Sequence, residues 1–128
     1  MMLYQVESKK SISQVASDLE AVAQKHKFGV LAVHNLKAKL QEKGVDFDRE
    51  CLIYEVCNPQ QAKKVLEVSP QISTALPCRI SIYQEGAGVI LATIRPAAMI
   101  ELFKTPELKA VAEDVEAVIV KIMDEAAG

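Results

Sequence analysis

The sequence predicts an α+β fold: a mainly antiparallel five-stranded sheet with two long amphipathic helices on one face. Five short segments alternate or are rich in β-branched residues, as strands are. Only residues 12–26 and 105–123 combine the length and the apolar spacing of a long helix. The elements follow in the order β-α-β-β-β-β-α, and two such helices can cover one face of a sheet.

The first part of the chain alternates strands with capped helices. Met2–Ser8 alternates as a strand does, and Ser11 with Gln14 three positions later forms the capping-box pattern of the first long helix. Phe28–His34 is an aliphatic run that predicts the second strand. Asn35 then caps a short helix.

The middle of the chain carries the third strand, Cys51–Cys57, and a helix start directly after it. Asn58 is a suitable N-cap, and Pro59 occupies the first helical position, where its missing N–H costs nothing. Cys78–Tyr83 and Gly88–Arg95 are the fourth and fifth strands, and the glycines of "QEGAG" suit a hairpin turn between them.

The last part of the chain is helical. A short helical stretch follows Pro96, and Thr105-Pro106-Glu107 combines a cap, a first-turn proline and a carboxylate at the start of the second long helix.

Length and composition indicate one domain, residues 1–128, in the cytoplasm. The formal net charge is −2, without a basic run, which argues against nucleic acid as a partner. No apolar segment approaches the roughly 18 residues that cross a membrane, and no signal-peptide pattern is present. The three cysteines are expected to be reduced. No zinc-ligand spacing or cofactor motif occurs, so we expect neither a metal nor a cofactor.

Four segments together resemble a known family: "GVL", "LKAKLQEKG", "YEVCNPQQA" and "LPCRI". They are similar to the domain of unknown function 302 family, and the similarity runs over nearly the whole chain. It implies a fold like that of the TATA-binding protein, β-α-β(4)-α, usually as a homodimer. Genes of the family often lie near genes of sulfur metabolism or redox chemistry. The resemblance implies no established activity.

The first candidate site is formed by Cys57, Asn58 and Cys78, at two strand ends. A thiol just before a helix N-terminus can be stabilised as a thiolate, but a free cysteine is more often a small buried apolar residue, and this interpretation is favoured for both Cys57 and Cys78. Simple alternation puts Cys57 on the open face of the sheet and Cys78 under the helices. We nevertheless expect the two thiols to lie near each other, because each marks a strand end beside a proline.

The second candidate site lies on the open face of the sheet. Glu55, Arg79 and Tyr83 are predicted to share this face with Thr93 and Arg95, and such a group can hold an anion or form cross-strand ion pairs. His34, at the end of the second strand, is a further candidate as the partner of a thiol.

These residues leave three functions open. The first is a dimeric binding module for a small sulfur-containing or anionic ligand near Cys57 and Asn58. The second is a thiol-dependent enzyme or sulfur carrier that uses Cys57, and the third is an interaction domain without a ligand. The sequence contains no evident general base, which favours binding over catalysis. The homodimer is also expected because the second strand is apolar on both faces.

Overall fold

The computed structural model describes all residues, Met1–Gly128. It contains five strands: β1 (Leu3–Ser8), β2 (Gly29–Asn35), β3 (Cys51–Cys57), β4 (Cys78–Glu85) and β5 (Gly88–Ile94). It contains five α-helices: α1 (Ile12–Lys25), α2 (Leu36–Glu42), α3 (Pro59–Val68), α4 (Pro96–Ile100) and α5 (Lys109–Ala127). Short 3-10 turns occupy Pro70–Ala75, Glu101–Phe103 and Pro106–Leu108.

The sheet has the strand order β1-β5-β4-β3-β2, and every neighbouring pair is antiparallel. Strands β2 to β5 therefore form a meander, in which each strand pairs with the next along the chain, and only β1 crosses over to reach β5. The two-residue turn between β4 and β5 begins at Gly86, whose φ of +60° is easily adopted only by glycine. The α+β class and the five-stranded sheet of the sequence prediction are confirmed.

The two long helices, α1 and α5, pack on the same face of the sheet, as predicted. Their apolar stripes meet the inward side chains of the central strands in one core, whose fully buried members include Leu19, Ile122, Ile80 and Leu91. A second, smaller core joins α3, α4 and the start of α5 around Val65. The opposite, open face of the sheet carries exposed side chains such as that of Arg79.

The end of α5 is tied to β1. The Ser8 hydroxyl donates a 2.7 Å hydrogen bond to the Ala127 carbonyl, and the Tyr4 hydroxyl donates a short hydrogen bond to Asp124. Ala126 and Ala127 are themselves buried in the core. The last turn of α5 is therefore held by packing and by specific polar contacts.

Two predicted helix starts differ in detail from the structure. The Ser11 hydroxyl accepts from the Gln14 backbone N–H at 3.2 Å, but the Gln14 side chain donates to Asp18 at 2.9 Å instead of returning to the cap. The predicted start at Thr105 is a 3-10 turn, and α5 itself begins at Lys109. The Thr105 hydroxyl donates to the Phe103 carbonyl, so it does not cap the helix.

Candidate functional site

The first candidate site is built where β3 passes into α3. Asn58 caps α3: its Oδ1 accepts from the backbone N–H groups of Gln60 at 3.1 Å and Gln61 at 3.2 Å. Its backbone carbonyl accepts from the N–H of Ala62 at 2.9 Å. Because Pro59 has no N–H, the first turn of α3 has no amide left for another group. The cap position is therefore as predicted, and Asn58 Oδ1 is fully engaged by the backbone.

Cys57 and Cys78 border one cavity of about 40 Å³ beneath α3. Val56 of β3 pairs with Cys78 of β4, which brings the two strand ends together. Cys78 lies on the helix-covered side, as alternation predicts. Cys57 is the last residue of its strand, and α3 folds back directly after it, so the cavity reaches a residue that alternation alone assigns to the open face. The expected proximity of the two cysteines agrees with this geometry.

Both thiols are electrostatically unfavourable places for a negative charge. Burial raises the pKa of Cys57. Burial, and secondarily the neighbouring Cys57, raise the pKa of Cys78 to about 11. The thiolate that the helix start suggested for Cys57 is thus not favoured, because Asn58 takes the amides that would stabilise it. At neutral pH both sulfurs are protonated and weakly nucleophilic.

Gln61 also borders the cavity, and sequence reasoning missed it. Its Oε1 is buried and has no hydrogen-bond partner. A buried acceptor without a donor is uncommon, because its lost hydration is uncompensated. The signal was present in the sequence: Gln61 precedes Val65 by four positions and so shares the buried side of α3. None of the residues that line the cavity is charged.

A second cavity, of about 60 Å³, lies next to the first. The two cavities share Val65, Leu76, Cys78 and Val115 as walls. The second cavity runs under the Pro70–Ala75 turn toward α4 and has an almost wholly apolar lining. Space for an apolar group therefore extends beyond the cysteines.

The remaining three candidates meet on the open face of the sheet. Glu55 pairs across the strands with Arg79, whose Nε lies 3.5 Å from Glu55 Oε2, and His34 Nε2 lies 3.1 Å from the same oxygen. The Glu55 side chain is only 19% exposed. The sheet separates this group from Cys78, so the six predicted residues form two sites, and His34 does not face a thiol of the cavity.

The prediction that Thr93 and Arg95 share the open face was wrong. Tyr83 pairs with Ile90 in the β4–β5 hairpin, so the even positions of β5 face the open side and the odd positions face the helices. Thr93 is buried and donates to the Arg79 carbonyl at 2.6 Å, while Arg95 Nε donates to Glu116 of α5 at 3.0 Å.

Comparison with known proteins decides the family. A family model described as a domain of unknown function, DUF302, matches residues 4–126. The chain belongs to the DUF302 family. A crystal structure of an uncharacterized conserved DUF302 protein from Bacillus stearothermophilus is similar, with 32% identity, a TM-score of 0.94 and 98% of each chain covered.

These comparisons establish the fold and the family of the chain. No curated protein matches the chain. The helices of this DUF302 domain include none with the length and apolar character needed to span a membrane.

Proposed function

We propose that this DUF302 domain is a binding module that holds a small uncharged sulfur-containing ligand in the cavity between Cys57, Cys78 and Gln61. The observation that carries the proposal is the buried Gln61 Oε1, which accepts no hydrogen bond within the chain. A ligand that donates an S–H or O–H to this oxygen would satisfy it.

The cavity favours a neutral and polarisable ligand. About 40 Å³ is space for about three water-sized groups. An anion would enter without a cation to meet it, because no charged side chain lines the cavity. Sulfur of the ligand would contact the sulfurs of Cys57 and Cys78 and the apolar side chains around them, which are soft and adaptable neighbours. Of the two ligand classes that the sequence left open, sulfur-containing and anionic, the geometry thus supports the sulfur-containing one.

The thiol-enzyme alternative has less support. Nucleophilic use of Cys57 requires a thiolate or an adjacent base. Burial raises the pKa of Cys57, and no histidine, carboxylate or lysine lines the cavity. A sulfur carrier would need the same activated thiolate, so binding without covalent chemistry is the simpler use of these two thiols.

The test uses ethanethiol as the probe, with ethanol and sulfite for comparison. NMR titration should show ethanethiol shifting the Gln61 side-chain amide and the backbone amides of Ala62 and Val65, with a Kd on the order of millimolar for so small a ligand. Ethanol should bind more weakly, and sulfite should cause no saturable shift. Equal binding of sulfite and ethanethiol, or no shift with either thiol or alcohol, would contradict the proposal.

Two variants complete this test. Gln61→Met removes the acceptor while it keeps the side chain's length, and it should abolish the difference between ethanethiol and an alkane of equal size. Gln60→Met is the matched control, because Gln60 is exposed on the same turn of α3. If both variants bind ethanethiol as the unchanged chain does, Gln61 is not part of the site.

We further propose that the domain is a homodimer, formed through the edge strand β2. Leu31 is 62% exposed and Val33 is 44% exposed on this strand. Two large exposed apolar side chains are unusual on a free edge strand, because such an edge readily pairs with another chain. Light scattering should give twice the chain mass of 14.0 kDa, and Leu31→Asp should give the monomer mass. A monomer at tens of micromolar before any substitution would refute the dimer.

A further inference from the structure

An open groove of about 300 Å³ lies at one end of the sheet, beside Pro77 at the start of β4. Its walls are the end of the Pro70–Ala75 turn, the start of β4, the end of β5 and the segment Pro96–Phe103. Leu102 is 69% exposed on one wall, and Ile94 is exposed on the other. The volume is at the lower end of the range of small-molecule sites.

Arg79 is the only charged residue that lines the groove. Its side chain is 56% exposed, and its one ion pair is the 3.5 Å contact of Nε with Glu55. The two terminal nitrogens, Nη1 and Nη2, donate no hydrogen bond within the chain. The groove therefore combines a guanidinium that has free donors with walls of hydrocarbon.

We propose that this groove binds an aliphatic carboxylate. The carboxylate accepts from the terminal N–H groups of Arg79, a pairing that suits the planar guanidinium. The hydrocarbon chain lies along Ile94, Met99, Leu102 and Phe103. The groove shares only Pro77 with the lining of the cysteine cavity, and it uses none of the three residues to which the thiol ligand was assigned.

The lining favours an acid with a plain hydrocarbon chain over a peptide or a sugar. The other polar residue of the groove is Thr74, whose hydroxyl already donates to the Gln71 carbonyl at 2.9 Å. A ligand with several polar groups would lose its hydration without finding partners, whereas a hydrocarbon chain gains by leaving water.

The groove also adjoins the second apolar cavity, so a bound hydrocarbon chain can extend toward it. Ala75, Met99 and Phe103 line both the groove and the 60 Å³ apolar cavity that continues toward Cys78. A longer chain therefore has apolar space into which it can extend. Affinity should rise about fourfold for each added methylene until that space is filled, as hydrophobic transfer predicts.

The experiment is a calorimetric titration with hexanoate, octanoate and octan-1-ol. Octanoate should bind more tightly than hexanoate by more than tenfold, and more tightly than octan-1-ol. Arg79→Gln should weaken octanoate at least tenfold and leave octan-1-ol unchanged. Arg49→Gln, which removes an exposed arginine outside the groove, is the matched control and should change neither.

A second pair of variants tests the apolar wall. Leu102→Asp should weaken octanoate at least tenfold, whereas Val45→Asp, at an exposed apolar residue of the loop before β3, should not. Both positions are on the surface, so the variants should fold, and their amide spectra verify this. Gln61→Met should leave octanoate binding intact, which separates this site from the thiol site.

Three results would overturn the proposal. Equal affinity for octanoate and octan-1-ol would show that Arg79 does not bind the carboxylate. Equal losses of octanoate affinity in Arg79→Gln and Arg49→Gln would show that only the net charge of the protein matters. Absence of octanoate binding would overturn it outright, and if Leu102→Asp then also lowers the mass in light scattering, the groove is instead a contact between copies of the chain.

Discussion

Replacing Asn58 by alanine would test the structural core of the candidate site. Asn58 Oδ1 accepts two backbone hydrogen bonds from the first turn of α3, at 3.1 Å and 3.2 Å. Alanine leaves both N–H groups without a protein partner, which costs about 1 kcal/mol of unfolding free energy. For a chain of 128 residues, that loss lowers the melting temperature by about 4 °C.

Asn35→Ala is the matched control for this substitution. Asn35 caps α2 by accepting from the Ala38 N–H at 3.0 Å, and it lies outside the lining of the cysteine cavity. The two variants should lose similar amounts of stability in urea unfolding. They should differ in the chemistry of Cys57.

The assay that separates them is the alkylation rate of Cys57, followed by mass spectrometry at pH 8. In Asn58→Ala the freed amides of α3 can stabilise a thiolate, so the pKa of Cys57 should fall and alkylation should be several-fold faster. Asn35→Ala should alkylate at the original rate. Equal rates in both variants would leave Asn58 as a cap alone, and faster alkylation in both would indicate general loosening.

Three further predictions concern other polar groups. Gln61→Met should raise the unfolding free energy, measured by urea unfolding, by about 1 kcal/mol, because it removes a buried acceptor that has no donor. A loss of stability would show that the Gln61 side chain accepts a hydrogen bond in solution. At pH 8 iodoacetamide should react with Cys57 more slowly than with glutathione, and with Cys78 more slowly still, because burial raises both pKa values; a fast Cys78 would refute this order. The hydrogen bond to Asp124 and, secondarily, burial raise the pKa of Tyr4 to about 12 from an ordinary value of 10.0. The contribution of Tyr4 to the stability of the fold is therefore complete below pH 10 and is lost as the pH rises to about 12. Tyr4→Phe should therefore lower stability at pH 8 and flatten the decline between these pH values in urea unfolding; an unchanged decline would contradict the assignment.

The features that sequence predicted well are local ones. Asn35 and Asn58 act as caps because a side-chain oxygen one or two bonds from the backbone reaches the N–H groups of the next turn, whatever surrounds the helix. The apolar stripes of α1 and α5 could be matched to one face of the sheet, because only one face of β3 and β4 is entirely apolar. The order of elements and the side on which the long helices lie could therefore be predicted.

The features that failed depend on neighbours distant in sequence or on a strand's end. Thr93 and Arg95 were assigned to the wrong face because the hairpin sets which positions of β5 point outward, and one residue of register reverses every side chain. Cys57 borders the cavity because α3 turns back over the strand end, where alternation no longer holds. The sequence indicates that Gln61 shares the buried side of α3 with Val65, but its lack of a hydrogen-bond donor becomes evident only when all surrounding groups are placed.

The tie between β1 and the end of α5 has a consequence for synthesis on the ribosome. Tyr4 and Asp124 are 120 positions apart, and β1 pairs only with β5. Strands β2 to β5 can pair with their neighbours as they emerge, but β1, which is made first, has no partner until β5 has been made. Its final packing must also await the last turn of α5. Nascent chains arrested after residue 85, before β5 is made, should consequently be cut by protease within β1, whereas the chain released after Gly128 should resist; early protection of β1 would mean that it first pairs with another segment.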